Sequence, residues 1–95
     1  MKLTSIVAAI LAGANVAVIA KSCKQGGVYC GQSLLKRGNY HDHIVETLDA
    51  EGQSTDDVHI RNSLFDCLSN GDIRYRDYCY KGCGGIDSKD ADYCL

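Results

Sequence analysis

The chain has no surplus of basic charge: ten lysines and arginines stand against twelve aspartates and glutamates. Phosphate backbones call for a cationic patch and anionic membranes for a cationic amphipathic face, so nucleic-acid binding and membrane lysis are both disfavoured. After residue 20 there is no second long apolar run, which disfavours a membrane-spanning protein. No Asn-x-Ser/Thr sequon occurs, since Asn15, Asn39, Asn62 and Asn70 are followed two positions later by Ala17, His41, Leu64 and Asp72. A G-x-S-x-G nucleophile motif is missing, as are internal repeats, linkers and low-complexity tracts after residue 20.

The first twenty residues, MKLTSIVAAILAGANVAVIA, place one lysine ahead of an uncharged run from Ile6 to Ala20 that ends in small residues. That order is the one of a secretory signal peptide, and Val18 and Ala20 suit the positions before a signal-peptidase cut. Residues 1–20 are therefore predicted to be removed, with the mature chain beginning at Lys21. A membrane anchor fits less well, because the run is shorter than the roughly 20 apolar residues a bilayer span needs. Of 95 residues, 75 then remain as a single domain, 21–95, and since Lys2 is the only charge in the leader, nine basic groups face twelve acidic ones, a net of −3.

A domain of that size hides only about 60% of its unfolded surface, so burial alone leaves it marginal. Six cysteines lie in it: Cys23, Cys30, Cys67, Cys79, Cys83 and Cys94. An even count in an exported chain points to three disulfides, each contributing on the order of 2 to 4 kcal/mol. The intervening gaps of 6, 36, 11, 3 and 10 residues contain neither the close Cys-x2-Cys pairs of a zinc site nor a redox Cys-x-x-Cys. No metal and no cofactor are expected. Six cysteines permit 15 pairings, among which spacing does not choose.

Periodicity sets the rest. Gln32 to Arg37 suits a short helix ended by a left-handed Gly38. In NYHDHIVETLDAEG, Tyr40, Ile44 and Leu48 recur every fourth residue beside Val45, which predicts the main helix over 40–50, capped by Asn39 and stopped by Gly52. Residues 58–68 are ambiguous. Ile60, Leu64 and Leu68 make a helical stripe behind Ser54 and Thr55, but Val58, Ile60, Asn62 and Ser63 are mediocre helix formers. Ile73, Tyr75 and Cys79 alternate with Arg74, Arg76, Tyr78 and Tyr80, and such a strand needs a partner across SNG. A hairpin of 58–68 with 72–80 is expected, turning at Ser69–Gly71, with Cys67 beside Ile73 and Phe65 beside Tyr75. Residues 81–95 show no periodicity and need Cys83 and Cys94 to hold them. The fold class is thus a small disulfide-stabilised α+β domain, one main helix packed on a short antiparallel sheet.

Few constellations suggest chemistry. His41, Asp42 and His43 with His59 are the only clustered ligand types, yet residues two apart on a helix point about 200° from each other. Surface histidines are the ordinary reading, with a pH-sensing His59 as the sharper one. Ser63 and Ser88 lie in no nucleophile motif, and complete pairing of the cysteines leaves no thiolate. Asp56, Asp57, Asp87, Asp90 and Asp92 are expected as a solvated acidic surface, since so short a chain can hardly build a glycosidase cleft. No enzyme is expected. Lys36-Arg37 reads as a basic helix end, the alternative being a dibasic processing site. The most suggestive surface is the second-strand face carrying Arg74, Arg76, Tyr78 and Tyr80, residue types enriched at binding hot spots. Its plain alternative is a wet sheet face in which Arg74 pairs with Asp66.

GGVYCGQSLL with Gly38 and Tyr40, then HIRNSLFDC, NGDIRY, GCGG and the final DYC, resembles the small secreted cysteine-rich proteins of filamentous fungi, many treated as candidate effectors. The resemblance implies a secreted, disulfide-linked protein acting outside the cell or inside a host; the expectation adopted is a monomer that acts by binding a host or extracellular protein or glycan. An antimicrobial or killer-type toxin and an inhibitor of secreted hydrolases are the rival expectations. The acidic balance weighs against the first, and no reactive-site loop favours the second.

Overall fold

A computed structural model of the chain describes residues 22–95, so the expected signal peptide and its cut before Lys21 lie outside the described residues. The elements run β1 (Val28–Cys30), α1 (Gly31–Arg37), α2 (His41–Ala50), α3 (Asp57–Asn62), β2 (Ser63–Cys67), a 3-10 turn (Ser69–Gly71), β3 (Ile73–Tyr78), β4 (Cys83–Gly84) and β5 (Tyr93–Cys94). β1, β2 and β3 form an antiparallel sheet in that order, and β4 and β5 a separate two-stranded ribbon. The protein is a small α+β fold with helices packed on antiparallel sheet and three disulfides.

The main helix forms where periodicity places it, because its apolar positions fall on one face: Ile44 and Leu48 are fully buried. It ends in a Schellman arrangement, Gln53 N–H donating to the Leu48 carbonyl and Gly52 N–H to that of Asp49, with Gly52 at φ 70°. Its start differs from expectation. Asn39 is not the cap; Tyr40 occupies that position and makes no side-chain cap bond. The Tyr40 ring is instead drawn into the core, where its hydroxyl accepts from Cys23 N–H at 3.0 Å and donates to the Gly71 carbonyl at 2.8 Å. Gly38 is likewise extended, at φ −174°, and not left-handed: the chain must pass straight into α2.

Residues 58–68 divide between the two readings. The first part is α3 and only Ser63–Cys67 is strand. Asp56, and not Ser54 or Thr55, is the cap and accepts the His59 N–H at 2.8 Å, and Ile60, 4% exposed, packs into the core. Cap and burial together outweigh the modest propensities of Val58, Ile60 and Asn62. α3 lies so close to α1 that a Cβ on Gly31 would land on the Ile60 carbonyl oxygen, so glycine is required there.

The hairpin keeps the expected register, Cys67 opposite Ile73, Asp66 opposite Arg74 and Phe65 opposite Tyr75. The SNG turn places Asn70 at φ 58° and Gly71 at φ 78°. Beyond Phe65 the register slips: Leu64 faces Asp77, which leaves Arg76 unopposed as a bulge.

Two apolar clusters lie on opposite faces of the sheet. Leu34, Tyr40, Ile44, Leu48, Ile60 and Phe65 fill the larger one, beneath the helices, together with Cys23 and Cys67. The smaller contains Leu64, Cys30 and Cys79, with Val28, Cys83 and Ile86 against it. Cys23–Cys67 ties the first; Cys30–Cys83 and Cys79–Cys94 tie the ribbon onto the second. The stretch expected to be irregular is thus pinned by its two cysteines, with two-residue strands pairing Cys83 with Cys94 and Gly84 with Tyr93.

Candidate binding site

Arg74, Arg76, Tyr78 and Tyr80 do not line up on one face. Arg74 donates to Asp66 Oδ2 at 3.1 Å and Arg76 to Oδ1 at 2.8 Å, so both arginines share one carboxylate on the outer face. The bulge at Arg76 adds a residue to β3 and reverses the alternation beyond it. Tyr78, opposite Ser63, therefore falls on the Phe65 face, where its ring stacks on His59 with centroids 4.1 Å apart. Tyr80 meets Tyr78 edge-on at 5.8 Å and is 88% exposed. Strict alternation hides such a reversal; no residue in IRYRDY marks it.

The Arg74–Asp66 pair matches the plain reading of this strand, and Arg76 joins it. Burial would raise the Asp66 carboxyl, but hydrogen bonds from Arg74 and Arg76, with their charges, outweigh it and hold the group below its ordinary value. Part of each guanidinium's donor capacity is thereby committed, although both arginine side chains stay more than half exposed.

His59 is a helical residue, not a strand residue. Its ring Nδ1 lies 2.7 Å from Asp56 Oδ1. The His59 backbone N–H, then its ring, keep the Asp56 carboxyl below its ordinary value. The result is a ring fixed from two sides, by its own cap carboxylate and by Tyr78. Val58, 52% exposed in the same helix, was not singled out by periodicity.

A cleft of about 840 Å³ opens between the loop before β1, α1 and residues 87–92. Lys36 bridges it to Asp87 at 3.2 Å, and Arg37 donates to the Ser22 carbonyl while lying 5.4 Å over the Tyr29 ring. Both basic residues occupy the last turn of α1, in accord with a basic helix end. The cleft also corrects the picture of a solvated acidic surface. Asp92 is only 8% exposed, and its Oδ2 accepts the Cys30 N–H at 2.9 Å and the Ser33 hydroxyl at 2.7 Å. It thus caps α1 from 62 residues away, a role no local pattern announces.

His41 and His43 face different carboxylates, Asp42 at 3.4 Å and Asp72 at 3.0 Å. Among the described residues no group of three or more His, Cys, Asp or Glu is arranged to hold a metal ion. Ser63 is sealed from solvent, and the Ser88 hydroxyl donates to the Asp90 carbonyl and accepts from the Asp90 N–H within its own loop. All six cysteines are paired, which is compatible with an extracellular setting. No helix among the described residues is long and apolar enough to cross a membrane. Comparison with family models, with curated proteins and with solved structures gave no match. The surface must therefore be read from its own chemistry.

Proposed function

We propose that the chain is a secreted, disulfide-locked binding protein, of the kind found among the candidate effectors of filamentous fungi, and that it recognises a host or extracellular protein or glycan without catalysing a reaction. The observation that carries the reading is Tyr80, 88% exposed and edge-on to a Tyr78 that is stacked on His59. A tyrosine offers broad amphipathic contact area on two rotatable bonds, so it loses little entropy on docking. This one also follows Cys79, whose disulfide to Cys94 anchors the backbone beneath it. Arg74 and Arg76 border the outer face as a secondary contact, because Asp66 already engages both.

Secretion is supported by the leader-like opening sequence and by three disulfides in a chain too small to rely on its core. Protein collected from culture medium should begin at Lys21 and weigh six hydrogens less than its reduced form. The binding reading is tested by presenting oxidised 21–95 and its Tyr80→Ala variant, side by side, to host extracellular fluid and to immobilised glycans. A ligand held by the parent and lost at least about tenfold by the variant is expected for a hot-spot tyrosine. Equal retention by both would overturn the assignment of Tyr80.

A further inference from the structure

Cys79 and Cys83 are bonded to different partners, yet their sulfurs lie 3.8 Å apart. Four sulfurs therefore gather where the ribbon meets the sheet. They differ in access: Cys30 and Cys79 are 0% and 2% exposed, Cys83 is half-buried, and Cys94 is exposed. Cys23 and Cys67, 6% and 3% exposed, belong to the other cluster.

We infer that Cys94 is a modification site for low-molecular-weight thiols and that Cys79 and Cys83 relay the exchange inward, releasing the ribbon. Thiol–disulfide exchange proceeds by thiolate attack on an accessible sulfur, with the other sulfur leaving as thiolate. An external thiolate attacks Cys94 Sγ; the new bond joins thiol and Cys94, the Cys79–Cys94 bond breaks, and its electron pair stays on Cys79. The Cys79 thiolate is then beside Cys83. It attacks Cys83 Sγ, forming Cys79–Cys83, and the Cys30–Cys83 bond breaks with Cys30 leaving as a thiolate that takes a proton from solvent. Two disulfides and one thiolate enter, and two disulfides and one thiolate emerge. No separate oxidant is needed.

The consequence follows from where the bonds run. Cys30–Cys83 and Cys79–Cys94 are the covalent ties between ribbon and sheet, and the exchanged Cys79–Cys83 bond closes only a local turn. Residues 84–95 then hold on through Asp92, the exposed Lys36–Asp87 ion pair and a few backbone bonds such as Asp92 N–H to the Val28 carbonyl. The core around Cys23–Cys67 is untouched.

Lysine and arginine spacing places each of the six cysteines on its own tryptic peptide, so every linkage can be read. The oxidised protein is incubated with reduced glutathione in native buffer, trapped with N-ethylmaleimide at acid pH, digested and mapped by mass spectrometry. The expected products are glutathione on Cys94, a DYCYK–GCGGIDSK linked pair, maleimide on Cys30, and Cys23–Cys67 opening at least about tenfold more slowly, as buried sulfurs do. Absence of the Cys79–Cys83 pair overturns the relay, whether the bonds stay closed or open elsewhere, and so does Cys23–Cys67 opening as fast as Cys79–Cys94.

Discussion

On the helix side of the sheet, Leu34, Ile44, Leu48 and Phe65 are fully enclosed around a single disulfide. On the far side Leu64 has few apolar neighbours, and two disulfides fasten a ribbon whose paired strands are two residues each. Burying one large aliphatic or aromatic side chain is worth roughly 1.5 to 3 kcal/mol, so the first face is stabilised largely by exclusion of water. The second relies on chain entropy. Its disulfides span 53 and 15 residues. Loop closures of those lengths contribute about 4 and 3 kcal/mol on the chain-entropy account. The difference teaches that a small domain can combine two modes of stabilisation on one sheet, with the covalent mode where apolar residues are scarce.

Replacing Phe65 with Ala should produce the largest loss, about 3 to 5 kcal/mol, measured by urea unfolding with the disulfides intact. A loss under about 1 kcal/mol would mean that the helix face is not held by packing, and the contrast would collapse. Next, Cys79→Ser combined with Cys94→Ser should lower stability by about 3 kcal/mol. Amide exchange should rise across 84–95 while the α2 amides stay protected, separating the two faces directly. Asp92→Ala should cost about 2 kcal/mol, because Cys30 N–H and Ser33 lose a charged acceptor; the expected spectroscopic sign is local fraying of α1.

The smallest effect belongs to the Asp66 cluster. Its carboxyl titrates below the ordinary carboxylate range in the fold, so the unfolded chain takes up the proton first as pH falls. The stabilisation is therefore present above about pH 4 and disappears as acid titrates the folded carboxyl. With both arginines largely solvated it should amount to less than about 1 kcal/mol. Urea midpoints at pH 6 and pH 2 should fall slightly more for the parent than for Asp66→Asn; an identical fall in both would leave the two guanidiniums energetically idle.

Much of the fold was legible because local physics dictated it. The four-residue recurrence of Tyr40, Ile44 and Leu48 marks a helix face, and the alternation of Ile73 and Tyr75 across an SNG turn marks a hairpin and its register. The candidate site was legible only in part. Arg74 meeting Asp66 follows from cross-strand pairing, but Arg76 joining it and Tyr78 crossing to the other face depend on a one-residue bulge. The helical start of 58–68 was hidden because its decisive terms are a cap by Asp56 and the burial of Ile60, and burial is not a local property.

Composition and pattern alone point to a small α+β unit needing cross-links, because so short a domain hides too little of its surface to be stable on burial alone and its cysteines are even in number. Which sulfurs join, which carboxylate caps α1, and which side of the sheet each tyrosine takes were decided in three dimensions. Those depend on contacts between residues far apart in the chain, such as Asp92 with Cys30 or Ser63 with Tyr78, and they come into being only when the sheet, its bulge and the ribbon have assembled.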